Sequence, residues 1–373
     1  MKLKVKTKDV DDELMYRRQK IKLGGESIYT PLRSTSKGVD FENSINEIYG
    51  EFTHDTLENF QKDEEAERRK NSRLSRKEKD NFNFFIPSYR SLTLPDEEKI
   101  GTLSDLQYEH TDVIITPIWK SIIKNIDKGN LGPIEGLEEY KDTTETFIEV
   151  VETLNNKTIV GNIPTKIPRK YLKNLLDFYH DRDITSFVLD FDGTSASTNR
   201  SWIRRLYRIL LGYGIMDESL IYSINMYKCR FSSHQESTLA RDFIVGGYGI
   251  DAIGNDHTRL PPEVIEGLGD DEGEQEKRRH KIFDRDRWGY LRYDSEDLME
   301  EFRFEFDNIT DQRKKYNTKE QYKETLKLQE EIQKQSTIES YVENKDEVTE
   351  KLIDEMSRDN ILDDKQSRLS SFG

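Results

Sequence analysis

Asp190 and Asp192 stand two residues apart in the run Val188–Thr194, VLDFDGT. On a strand, that spacing sends both side chains to one face of a sheet. Two neighbouring carboxyls oppose each other's ionisation, so one is fitted to hold a proton while the other stays charged. A second acidic pair, Asp251 and Asp256, lies in the glycine-bearing run Tyr248–Arg259, YGIDAIGNDHTR. One carboxylate as nucleophile and one carboxyl that handles the leaving group's proton are the parts that two-carboxyl glycoside chemistry uses. Asn162 and Asn225 end apolar runs and carry the donor and acceptor that hold a base edge. Plainer roles compete. Asp256 suits an Asx-turn, Asp251 a buried carboxylate bonded to backbone, and Asn162 a strand end. His257 beside Asp256 is a lone pair rather than a metal site, so no metal is expected.

These residues need strands to hold them. Thr158–Pro164, Ser186–Gly193 and Leu220–Lys228 are apolar runs ending in polar residues. Between them lie the amphipathic stretches Lys170–Asp183 and Arg200–Gly214, and a segment from about Ser233 to Val245 reads as a third helix before Tyr248–Arg259. Strand–helix alternation predicts a parallel sheet flanked by helices, with ligands at the carboxyl ends of its strands. Lys20–Ser34 reads as a hairpin around Gly24-Gly25 whose second strand enters that sheet. Asn83–Tyr89 and Thr111–Trp119 add strands, Asp242–Ile253 gives a seventh unit, and Trp288–Tyr293 supplies an eighth. Eight such units predict a (β/α)8 TIM-type barrel, with an open doubly wound sheet as the alternative. The expected plan is a flexible 1–19, a barrel over 20–300 with a charged helical insertion at about 40–80, a helical extension over 301–358, and a disordered tail at 359–373. The extension is polar nearly all round, as suits a helix facing another domain or a protein partner.

The chain of 373 residues is 34% hydrophobic and 35% charged, with a net charge of -15. That balance argues against coating by nucleic acid but leaves room for local basic patches. The single cysteine, Cys229, excludes an intrachain disulfide and a multi-thiolate zinc site, and fits a cytoplasmic home. No run approaches the length needed to cross a bilayer. Seven cations fall within the thirteen residues Glu67–Lys79. Arg200, Arg204 and Arg208 lie opposite the apolar stripe Ile203, Leu206 and Leu210, and with Arg259 they are candidate contacts to a phosphate backbone.

Two resemblances follow from these residues. Gly249-Ile250-Asp251, then Asp256, Thr258 and Arg259, resembles the nucleophile segment of the tRNA-guanine transglycosylases. The order of elements is similar from the opening hairpin with its Thr-Pro onward. The resemblance implies a barrel that replaces guanine in DNA or tRNA by a free 7-deazaguanine base, through an aspartyl–glycosyl ester and without a cofactor. It implies Asp256 as nucleophile, with Asp251 as the fallback. Asp112 is then the acid/base, and Asn162, Asp190, Asp192, Gly193 and Asn225 hold the base. The family's three-cysteine zinc site has no counterpart, so the likeness is to a divergent branch, such as the relatives that modify DNA. Separately, VLDFDGT is similar to the first motif of haloacid-dehalogenase-type phosphatases, which implies a magnesium-dependent nucleophile at Asp190. A non-catalytic scaffold acting through the C-terminal helix is the third alternative.

Overall fold

The computed structural model describes residues 2–35, 38–39, 41–74, 80–154, 157–229, 231, 235–258 and 279–362. The stretch 1–19, expected to be loose, instead holds β1 (Lys4–Val10). It pairs antiparallel with β2 (Arg17–Leu23), which in turn pairs with β3 (Glu26–Tyr29). Gly24 and Gly25 both take positive φ, 61° and 105°, as a two-residue hairpin turn demands.

The central sheet is parallel. In chain order its strands are β4 (Leu32–Arg33), β5 (Ile45–Phe52), β6 (Phe82–Tyr89), β7 (Val113–Ile115) with β8 (Ile118–Trp119), β9 (Ile159–Pro164), β10 (Phe187–Asp190) and β11 (Ile221–Ile224). After β12 (Ser237–Leu239) comes its last strand, β13 (Ala252–Ile253). Neighbours run β4-β13-β11-β10-β9-β7-β6-β5, with β8 beside β6. Two residues past β4, Thr35 forms a parallel bridge with Asn46 of β5, and its N–H donates to the Ile45 carbonyl at 2.8 Å. The molecule is thus a mixed α/β protein with a mostly parallel sheet. Helices Glu97–His110, Pro133–Leu154, Leu172–His180 and Arg200–Tyr213 fall between strands.

Period-2 alternation sorts the strand residues into two cores. Phe84, Ile86, Ile115, Val160, Val188 and Tyr222 share one cluster with Ile21, Leu23 and Ile28 of the N-terminal sheet. Phe85, Ile114, Ile163 and Leu189, one position along, pack with the helices through residues such as Leu176 and Leu206. Burial on both faces is the mark of a parallel strand, and all eight residues of β6 are buried.

Three expectations need correction. Ile45–Phe52, placed in a charged helical insertion, is a strand; helices follow it only at His54–Lys62 and Glu64–Leu74. The segment read as a helix at 233–245 holds β12 and the start of a 3-10 turn, Ile244–Tyr248. Trp288–Tyr293 is a strand, β15 (Gly289–Tyr293), but it belongs to a separate antiparallel sheet with β12 and β14 (His280–Asp284). The C-terminal helix Ile309–Lys334 packs on β4 and β14 and buries a polar stripe. Gln321 accepts from Arg33 at 2.9 Å, and Glu324 accepts from Trp288 at 2.7 Å and from Lys345 at 2.9 Å.

Candidate functional site

At the carboxyl ends of β5 and β10 the inward-facing register changes from apolar to ionisable. Along β10 the alternation that turns Val188 inward also turns Asp190, the strand's last residue. Along β5 it carries Glu47, Tyr49 and Glu51 on the face of Ile45. These residues and the loops beyond them surround a cavity of about 550 Å³, lined by Tyr49, Glu51, Arg90, Lys120, Asp192, Asn225 and His257 among others.

Two connected networks hold the site. Lys120 opens the helix Lys120–Asp127 and bridges Asp190 at 2.8 Å and Asp192 at 2.9 Å. Burial alone would lower the lysine's pKa, but the two carboxylates outweigh it and raise it. The other oxygen of Asp190 accepts from Asn225 Nδ2 at 2.7 Å and from the Asp192 N–H at 3.1 Å. Asp190 is therefore buried and occupied, whereas the Asp192 side chain is 39% exposed at the cavity. The Asn225 side-chain oxygen accepts from the His257 N–H at 2.8 Å, which ties the β11 end to the last loop.

His257 leads into the second network. Its Nε2 lies 2.5 Å from Glu47 Oε1, and its ring stacks on Tyr49 at 4.0 Å between centroids. Glu47 is wholly buried and also accepts from Tyr222 and from the Asn255 N–H at 3.1 Å. Burial pushes its pKa up, but His257, Tyr222 and Arg33 outweigh that and hold the carboxyl below its ordinary value. Gly254 permits the approach, since a Cβ there would sit 2.6 Å from Glu47 and 2.3 Å from the Ser223 carbonyl. Burial pushes the Tyr49 phenol up to about 12. A carboxylate–imidazole pair with a stacked ring fixes the imidazole's orientation, as acid–base catalysis requires.

The expected site residues separate. Asp190, Asp192 and Asn225 meet at the cavity, and the Gly193 N–H donates to the Asn225 carbonyl at 2.8 Å. Asp251 precedes β13, so it lies at the amino end. Both its oxygens take Arg17 at 2.7 Å, and one also accepts from the Ile221 N–H. Asp112 precedes β7 at the same end and accepts from the Asn83 backbone and side chain. Neither can act at the cavity. Asp256 is exposed and accepts from Thr258 N–H and hydroxyl within its own loop. Asn162 is fully buried under Tyr140 and Tyr179, away from the cavity lining. The outward arginines are half covered. Arg200 pairs with Glu355 at 3.4 Å, and Arg204 and Arg208 lie on the same half-buried face. Arg259 lies outside the described residues.

The residues missed from the sequence are Glu47, Tyr49, Tyr222 and Lys120, and His257 was set aside as a surface residue. The alternation Ile45, Glu47, Tyr49, Glu51 was the available signal for the first two. Among the described residues, no group of three or more His, Cys, Asp or Glu is placed to hold a metal. No helix among them is long and apolar enough to cross a membrane.

Fold and site together define an α/β protein with an ionisable cavity at the strands' carboxyl ends. No protein-family model matches the sequence, and no curated protein matches it.

Proposed function

We propose that this chain exchanges a base at a sugar carbon of a nucleic acid, replacing guanine in DNA or tRNA by a 7-deazaguanine. The observation that carries the reading is the cavity's inventory: an accessible carboxylate, Asp192, and the His257 imidazole, backed by the buried Glu47, share one opening. Arg90, Lys120 and Lys166 at its wall pair with Glu51, with Asp190 and Asp192, and with Asp127, and Lys124 and Lys128 add two further cations, which suits a phosphate-bearing substrate. The resemblance of Gly249–Arg259 to the transglycosylases supports the reaction class, but the roles move. Asp192 takes the nucleophile's place, and Asp251 and Asp112 drop out. We further infer that the eight parallel strands close as a (β/α)8 barrel; the Thr35–Asn46 bridge between its first two strands supports this.

In this reading the Asp192 carboxylate attacks C1′, and the C1′–N9 bond breaks as the ester forms. The departing guanine takes a proton from His257, whose ring Glu47 orients. The incoming base then gives its N9 proton to His257, and its nitrogen attacks C1′ and releases Asp192. Lys120 holds the Asp192 carboxylate in place, and Asp190 with Asn225 fixes the loop that carries it.

The test is incorporation of radiolabelled guanine or 7-deazaguanine into tRNA or duplex DNA, with and without cell extract. Label in either polymer, abolished by Asp192→Asn, is expected. Label in neither under both conditions overturns the reading. A phosphatase centred on Asp190 is favoured by the lysine at that carboxylate, but both Asp190 oxygens are already bonded. Magnesium-dependent phosphate release that is lost in Asp190→Asn would reinstate it.

A further inference from the structure

We propose that the outer face of the β1–β2–β3 sheet is a contact surface for a nucleic-acid backbone. The register sets Lys4 opposite Lys22 and Lys6 opposite Lys20, with Lys8 exposed further along β1. Like charges placed directly across a sheet destabilise it. Among the described residues none of these five lysines has a carboxylate within ion-pair distance, and Glu218 is the one acid lining the cleft they share, in a chain that carries 73 acidic residues against 58 basic ones. Protection of an edge strand explains lysines on β1. It does not explain Lys20 and Lys22, because β2 is the central strand of this sheet.

Tyr29 completes the face. It lies opposite Lys20 on β3, with the Arg18 guanidinium 4.1 Å and the Lys20 ammonium 5.5 Å from its ring centroid. Cations interleaved with an aromatic ring are how a surface follows phosphates while offering a base something to stack on. Lysines two apart on one strand repeat at about 7 Å, close to the step between successive phosphates along a nucleic-acid strand. The apolar residues of these strands, Ile21, Leu23 and Ile28, point into the core, so the face offers a lipid bilayer charge but nothing to insert.

This surface is independent of the catalytic reading. Arg17 of β2 meets Asp251 at the amino ends of the strands, whereas the cavity lies at their carboxyl ends.

The experiment is fluorescence anisotropy of the full chain with labelled duplex DNA, single-stranded DNA and a structured RNA, alongside vesicles containing phosphatidylserine. The comparison is with the variant K4Q/K6Q/K20Q/K22Q. The wild type should bind at least one nucleic acid at about 50 mM salt and lose affinity about 60-fold or more by about 200 mM. In the variant the log–log salt slope should fall by about 3. Thermal melting checks folding, and relief of the lysine pairs should leave Tm unchanged or raised. If the fourfold variant does not fold, K4Q/K22Q alone should lower the slope by about 2. An unchanged slope, no nucleic-acid binding at the lower salt, or binding to vesicles alone overturns the proposal.

Discussion

Carboxylates occur at both ends of the central sheet, and the two ends treat them differently. At the amino end, Asp251 is sealed against Arg17 and the Ile221 amide, and Asp112 is held by Asn83. Both Asp251 oxygens have donors from the protein itself. At the carboxyl end the same residue type lines an open cavity. Asp190 and Glu47 are buried and bonded there, but each supports a more accessible neighbour, Asp192 or His257. A carboxylate whose donors are all internal serves stability. One left at a cavity with a buried supporter is available to a ligand. Position along the strand, rather than residue type, separates the two classes.

The largest effect that would test this contrast is Asp251→Ala. It leaves the Arg17 guanidinium buried without its counter-charge, at a cost of about 3–5 kcal/mol. Urea unfolding measures it, and a loss under about 1 kcal/mol would place Asp251 in the other class. Next comes Glu47→Gln, which removes the charge from the bonds to His257, Tyr222 and Asn255 and should cost about 1.5–3 kcal/mol. Glu47→Gln should also slow base exchange by about 100-fold or more if His257 is the acid–base group.

Acid titration sharpens the same point. The Glu47 carboxyl lies below its ordinary value in the folded state, where His257, Tyr222 and Arg33 overcome the effect of burial. A depressed carboxyl stabilises the fold fully above its unfolded pKa of about 4.3 and progressively less as pH falls towards the folded value. Melting temperature followed downward from pH 6 should therefore drop less steeply below about pH 4.3 in Glu47→Gln than in the wild type. Parallel curves would mean that folding does not shift the Glu47 carboxyl. Asp192→Asn should change stability by less than about 1 kcal/mol, since one exposed pairing to Lys120 is lost, while abolishing label transfer. A fully active Asp192→Asn would remove the nucleophile from the mechanism.

Much of the parallel sheet was legible because its strands are continuous apolar runs bounded by polar residues; β9, β10 and β11 fall where VGNIP, VLD and IYSI suggest. Ile45–Phe52 was not. Its inner face turns acidic as it reaches the cavity, and charged helices follow it, so local composition masked a two-residue period. The function of the strand is what disguised it. Trp288–Tyr293 was read rightly as a strand and wrongly as part of the main sheet, because β propensity does not name a partner. The polar helix Ile309–Lys334 misled in the same way: Gln321 and Glu324 look solvent-facing by type, yet they are buried and bonded to Arg33, Trp288 and Lys345. The site was half legible. Asp190, Asp192 and Asn225 converge, but the supporting pair Glu47–His257 joins residues 210 positions apart, which no local motif encodes.

The smallest expected effect discriminates most finely, because Asp256 lies between the two classes. It sits one residue before His257 at the cavity's loop, so proximity alone would make it catalytic. Its carboxylate, however, accepts from Thr258 within the same turn and supports nothing else among the described residues. Local Asx-turn bonds of an exposed residue can be replaced by water at little cost. Asp256→Ala should therefore shift stability by no more than about 0.5 kcal/mol and leave label transfer within about threefold of wild type. A loss as deep as that of Asp192→Asn, with Tm unchanged, would return the nucleophile to Asp256 and make Asp192 its support.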